Sequence, residues 1–388
     1  MRISARTTIL ASLLLLVVTA GQSFAQLRPE PGDLLWRQEI GGQIWAPLLY
    51  DDGVLYFGTD DSRFYAFEIE SREVKWRFRT GGIIRSGAVV VGKHVVFASD
   101  DGYLYSLDLD TGREFWRFDL GSAGYERVLP AIDPPYAYDY RHSSPLNRAG
   151  IIYVGSPNGV LYAIYDDTGL EFWRFATDGP IRSTPISIGQ SIVFGSRDGH
   201  VYSVDALNGT LDWRFDTGGL VQGSPASGAG KVFAGSRSAT VFALDERTGG
   251  EQWRHVNEDG SWVESSPLFD GGILYIGSSD ARALYALDAG TGSTIWEFET
   301  GGWSWSDPVL ADDVVYIGGL GVSSYYFEGV DMRPGFFAVD QETGAGLWEF
   351  TPEMIEGFMN GGVFSTPAIV DGVIYVGGID GRLYALKQ

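Results

Sequence analysis

No cysteine occurs in the 388 residues, which excludes disulfides, thiolate nucleophiles, Cys-ligated zinc and a lipid-modified N-terminal cysteine. Lysine is nearly as scarce, at Lys75, Lys93, Lys231 and Lys387, and arginine supplies almost all the positive charge. The formal net charge of -22 repels phosphate backbones and anionic headgroups, so no nucleic-acid partner is expected. After the leader no apolar run is long enough to span a bilayer as a helix. The chain has no G-x-S-x-G elbow, and its four histidines (His94, His142, His200, His255) fall in separate units without metal-ligand spacing. Stability must therefore come from packing.

The leader is residues 1–25. Arg2 and Arg6 precede an apolar run from Ile9 to Val18, and Ser23-Phe24-Ala25 fits a small-x-small cleavage site. This reads as a secretory signal peptide, followed by a linker over 26–32. The mature protein is expected to be periplasmic or secreted.

What the sequence has in abundance is glycine, with 53 residues, and tryptophan, with 12. Eight tryptophans recur: Trp36, Trp76, Trp116, Trp173, Trp213, Trp253, Trp296 and Trp348, with four of the intervals equal to 40 residues. Tyr65, Tyr105, Tyr162, Tyr202, Phe242, Tyr285 and Phe337 each stand 11 residues before the next of them. Runs such as 373–377 (VIYVG) and 383–386 (LYAL) are β-branched or aromatic, of strand length and bounded by glycine. Asp288, Thr291 and Gly292 mark a turn that recurs at Asp108 and Asp245. The tryptophan strands alternate Trp and Phe with Arg or Glu, so the charges at Arg37, Arg77, Arg117, Arg174, Arg214, Arg254, Glu297 and Glu349 face solvent on an outer edge.

Four short strands per 40 residues, eight times over, predict an all-β fold: one eight-bladed β-propeller of four-stranded antiparallel blades over residues 33–388. The chain ends three strands into its last unit and begins with a tryptophan strand, 34–37. The N-terminal strand is therefore expected to complete the last blade.

The unit A-x-D-x-x-T-G-x-x-x-W, as in 286–296 and 338–348, resembles the PQQ-like β-propeller repeat over nearly the whole mature chain. Two branches of that family share it. Length and eight bare blades are similar to the propeller component of the outer-membrane β-barrel assembly machinery, which implies a non-catalytic periplasmic scaffold. The quinoprotein alcohol dehydrogenases are the other branch, implying PQQ with calcium over the funnel. They are longer and stack the quinone on a vicinal disulfide, which this chain lacks. The assembly branch is usually lipid-anchored, and the missing cysteine departs from that pattern.

Every blade solves the same packing problem, so function is sought where blades differ. From each tryptophan to the small-residue-Pro step of the next inner strand the gap is 11 or 12 residues, but 14 before Pro267, 19 before Pro367 and 29 before Pro145. A fourth insertion, 318–335, separates the second and third strands of its blade. In an up-and-down blade all four emerge at one end, where loops on a rigid scaffold carry recognition. Two are rich in tyrosine: Tyr136, Tyr138 and Tyr140 in one, Tyr325 and Tyr326 in the other. Such loops suit binding, and suit a self-packed cap over the channel equally well.

The column three residues before each step reads Ile44, Ile84, His142, Arg182, Gln222, Glu264, Trp305, Phe364, with Trp262, Trp303 and Asp307 close by. Aromatics beside ionisable groups fit a small-ligand pocket in the funnel, and Glu264 with Asp307 is a carboxylate pair available for acid–base work. Asp-Asp-Gly at Asp51 and Asp100 reads as hairpin turns rather than calcium loops. The expectation is a monomeric scaffold that binds a periplasmic or outer-membrane protein through the insertion face, with no catalytic residue and no cofactor or metal. The alternative is a small molecule or quinone in the funnel, including a divergent quinoprotein oxidoreductase.

Overall fold

A computed structural model describes residues 29–121, 139–322 and 332–388; the leader, Tyr136, Tyr138, Tyr325 and Tyr326 lie outside the described residues. The described chain forms eight antiparallel sheets of four strands each, one of which carries a fifth strand. Blade 1 shows the pattern: Leu49–Asp51, Val54–Gly58, Arg63–Glu68 and Glu73–Arg79, each paired with the next. First strands touch the first strands of neighbouring blades, so they line the axis, while fourth strands form the rim. The first turn is Asp52-Gly53, with both φ positive (42° and 81°), the two-residue geometry that matches strand twist. Asp51 thus sits in a hairpin, as expected.

Second and third strands are buried on both faces, which explains their unbroken apolar runs. The tryptophans join blades. Trp76 donates its indole N–H to the Leu109 carbonyl at 2.9 Å, and its ring lies under Gly112 of the next blade. The same bond recurs from Trp116, Trp173, Trp213, Trp253 and Trp296 to the following blade. In the recurring turn Asp288 accepts the Thr291 amide at 2.8 Å, as read from the sequence. The residue after each tryptophan is exposed in all eight blades.

The ring closes as expected. Strand Leu34–Glu39 pairs with Arg382–Lys387, so blade 8 is built from both ends of the described chain. The closure even rebuilds the recurring turn without a covalent link. Gly32 donates to the Lys387 carbonyl (2.8 Å) and Lys387 to the Asp33 carbonyl (2.9 Å), matching Gly112 to Asp108 (2.9 Å) and Asp108 to Arg113 (2.8 Å) in blade 2. Gly32 has φ +88°, and Trp348 lies against it.

Blade 7 departs from the pattern. Its second strand, Val314–Val322, runs nine residues and overshoots the sheet to pair with Met359–Gly362 from the insertion before Pro367. Two insertions are thus zipped together by backbone hydrogen bonds.

Candidate functional site

The axis is built in three layers. The lowest is a chain of hydrogen bonds from blade to blade. Gly87 N–H donates to the Ser144 hydroxyl (2.7 Å), Ser144 N–H to Thr184 (3.0 Å), Thr184 N–H to Ser224 (2.9 Å), Ser224 N–H to Ser266 (2.9 Å), and Ser266 N–H to Asp307 (2.7 Å). These bonds fix which residues are equivalent. Gly87 matches Ser144, and Pro145 lies one place further on.

The column read from the sequence is therefore out of register at two of its eight positions. Ile44 and Ile84 are not funnel residues: they pack against Gly377 and Gly58 of the preceding blade, as Ile181, Val221 and Val263 do elsewhere. Trp45 and Arg85 take their places. The middle layer is Trp45, Arg85, His142, Arg182, Gln222, Glu264, Trp305 and Phe364, all buried. Serine hydroxyls pin six of the eight inner strands and give the register, with Ser86, Ser143, Ser183, Ser265, Ser306 and Ser365 each twelve residues from the backbone group they bind, while Ala46 and Gly223 hold the place in the other two.

Ions in this layer are paired. Arg182 meets Asp139 at 2.7 Å with both side chains excluded from solvent, and Arg197 reaches the same carboxylate at 3.2 Å. Arg85 and His142 flank Asp100, at 3.3 and 3.7 Å. Glu264 is held by Arg237 and accepts from Gln222 at 2.8 Å. Asp307 accepts two hydrogen bonds from Arg141 at 2.7 and 3.3 Å. Glu264 and Asp307 are therefore not an acid–base pair, since each is committed to a different arginine. Removing one partner of such a buried pair costs about 3–5 kcal/mol, because the other charge is stranded.

Arg141 also donates to the Trp305 carbonyl at 2.5 Å. It stands where six other blades place Ile or Val and blade 7 places Ser304. In those blades the residue is seated on a glycine of the blade before; here that glycine is Ala98, whose methyl removes the seat. Arg141 instead crosses from blade 3 to blade 7, on the opposite side of the ring, and narrows the channel. A cavity of about 30 Å³ remains at the waist, lined from seven blades by residues including Trp45, Arg85, Arg141, His142, Arg182 and Phe364.

The upper layer is the insertions. Trp45, Tyr140, Trp303, Trp305, Leu320, Val322, Met332, Met359 and Phe364 form one buried cluster, with Trp262 and Phe358 against it. All four insertions contribute, so they do gather at one end of the channel. Trp45 stacks on Tyr140 (4.8 Å, 11°) and Trp303 on Trp305 (4.4 Å, 13°), while Arg237 lies 4.4 Å over Trp262. Trp303 donates to Asp280 at 3.0 Å. Burial pushes the Asp280 carboxyl up, opposed by that hydrogen bond. Asp60, at the same end, is likewise raised by burial and held back by the Gln43 amide.

The candidate residues thus separate. His142, Arg182, Glu264 and Trp305 come together in the middle layer and Asp307 in the lowest, while Tyr140, Trp262 and Trp303 sit in the aromatic cap. Asp139, Arg197 and Arg237, absent from the sequence reading, and Asp100, read there only as a turn residue, are what pair with the ions of the ring.

This space leaves no room for a quinone. Among the described residues the aromatics fill the funnel by stacking on one another, and the waist cavity is smaller than a tricyclic quinone. No cluster of three or more His, Cys, Asp or Glu suited to a metal occurs among those residues either. The residues do not fit PQQ with calcium as placed.

These features define an eight-bladed β-propeller with a closed axis and its long loops at one end. The chain belongs to the PQQ-like propeller family: the family model described as outer membrane protein assembly factor BamB matches residues 2–129, 100–256 and 237–388. The fold is similar to BamB from Moraxella catarrhalis (TM-score 0.69, 14% identity, covering 92% of this chain and 100% of that one). It is also similar to a europium-containing methanol dehydrogenase (0.67, 14%, covering 92% and 93%) and to the quinohemoprotein alcohol dehydrogenase of Comamonas testosteroni (0.68, 13%, covering 92% and 76%). No curated protein matches the chain in sequence.

Proposed function

We propose that this protein is a non-catalytic periplasmic scaffold that binds a protein of the outer-membrane assembly pathway through its insertion-bearing end. The observation that carries this reading is the cap itself. The described parts of four loops meet in one aromatic cluster, and two of the loops share a strand pair, giving a packed platform rather than an open pocket. Rigid loops lose little entropy on binding. Met354, 57% exposed, stands on this platform beside exposed Glu353 and Glu356. The family match to an outer-membrane assembly factor supports the compartment and the partner class, and the 1–25 leader is assigned as the export signal. Co-purification of the mature protein from its own envelope, read by mass spectrometry, tests the proposal. Recovery of outer-membrane assembly proteins with the intact chain, and their loss from a Met354→Asp variant with an unchanged melting temperature, is the expected result. Recovery that is equal for both chains contradicts it.

A further inference from the structure

The waist cavity is lined mainly by donors. Among the described residues Arg85, Arg141, Arg182 and His142 line it, with Asp307 the one carboxylate of the lining. Beneath them lie the hydroxyls of Ser144, Thr184 and Ser224, each of which accepts a backbone N–H from the blade before. A hydroxyl whose oxygen accepts keeps its own O–H to donate. These three residues line both the 30 Å³ cavity and an open cup of about 350 Å³ at the end opposite the insertions, so their O–H groups form the boundary between them. In a chain of net charge -22, this gathers O–H donors and three guanidiniums, each paired with one of Asp100, Asp139 and Asp307, on the axis of the ring.

We propose that the axial cavity is a binding site for a small inorganic anion of the chloride class, entered from the open cup. Volume sets the class. The cavity exceeds the ~10–15 Å³ that one water-sized particle needs, and it does not hold a phosphate with its oxygens. Asp100, Asp139 and Asp307 hold the guanidiniums in place, and desolvation of the ion is offset by the N–H and O–H donors that the lining brings to it. Bound there, the ion ties together blades 1 to 5, 7 and 8, and adds stability by mass action.

The test uses the mature chain in sodium chloride, bromide or gluconate at one ionic strength. Melting temperature is expected to rise by about 2 °C or more as chloride or bromide replaces gluconate, saturating with concentration. Arg85→Gln and, independently, Thr184→Val are expected to at least halve that rise. Crystals soaked in bromide are expected to show an anomalous peak between Arg141 and Thr184. Identical melting in halide and gluconate, or an undiminished response in both variants, overturns the site. If neither variant folds, the bromide map of the unaltered protein decides, and a waist without a peak overturns it.

Discussion

At the scale of single residues, carboxylates of two opposite kinds set the response to pH. Asp108, Asp245, Asp288 and Asp340 are held below the usual range, each by the hydroxyl and then the amide of the Thr three residues on. A depressed carboxylate adds stability above its unfolded pKa of about 3.9, and that stability is lost as pH falls through the folded value. Asp280 and Asp60 have the reverse sign: raised by burial, they weaken the fold as pH climbs from about 4 through their folded values. Asp280→Asn keeps an acceptor for Trp303 and removes the charge. Its melting temperature relative to the unaltered chain is expected to increase as pH rises from 4 to 7. Thr291→Val is expected to melt lower than the unaltered chain at pH 7 and to approach it below pH 4. Melting curves across that range check both signs.

At the scale of strands and turns, the recurring unit was legible because its physics repeats. An indole needs a glycine in the next blade to lie under, so Trp76 with Gly112, Trp173 with Gly209 and Trp213 with Gly249 keep the same spacing. The funnel column was legible at six positions and slipped at two. Pro47 and Gly87 stand one residue earlier than Pro145 does, and proline is not what sets the register; the serine bonded twelve residues on is. Counting from Ser86 rather than Gly87 places Arg85 correctly from sequence alone. The ion pairs were not legible, because Arg141 and Asp307 lie 166 residues apart and only closure of the ring brings them together. One sign of it was present: Ala98 stands where Gly58, Gly155, Gly195 and four others stand. The paired strand of the cap was hidden for a related reason, since its partners come from two separate insertions. Gly362, with φ +118° and the Gly319 carbonyl where a β-carbon would stand, has no room for a side chain. Gly362→Val is expected to unzip 359–362 from blade 7 and abolish partner binding while far-UV circular dichroism still reports an intact ring. Unchanged binding would show that the strand pair does not shape the platform.

For the whole molecule, closure is the point of weakness, because blade 8 is held to its outer strand, Leu34–Glu39, by hydrogen bonds and packing without a disulfide. Trp36 packs against Phe67 and Tyr375 and carries Arg72 over its ring, where other blades offer a glycine. Trp36→Ala is expected to cost about 3–5 kcal/mol, read as an earlier and still cooperative urea transition. The central claim is that a ring stiffened in this way presents one end to an envelope protein. It is tested most directly by a photo-crosslinking residue placed at Met354 on the insertion end, or at Asp52 in the hairpin at the opposite end, in living cells. The account predicts a crosslink from position 354 to a protein of outer-membrane assembly and none from position 52. A crosslink from 52 alone, or from neither position, contradicts it.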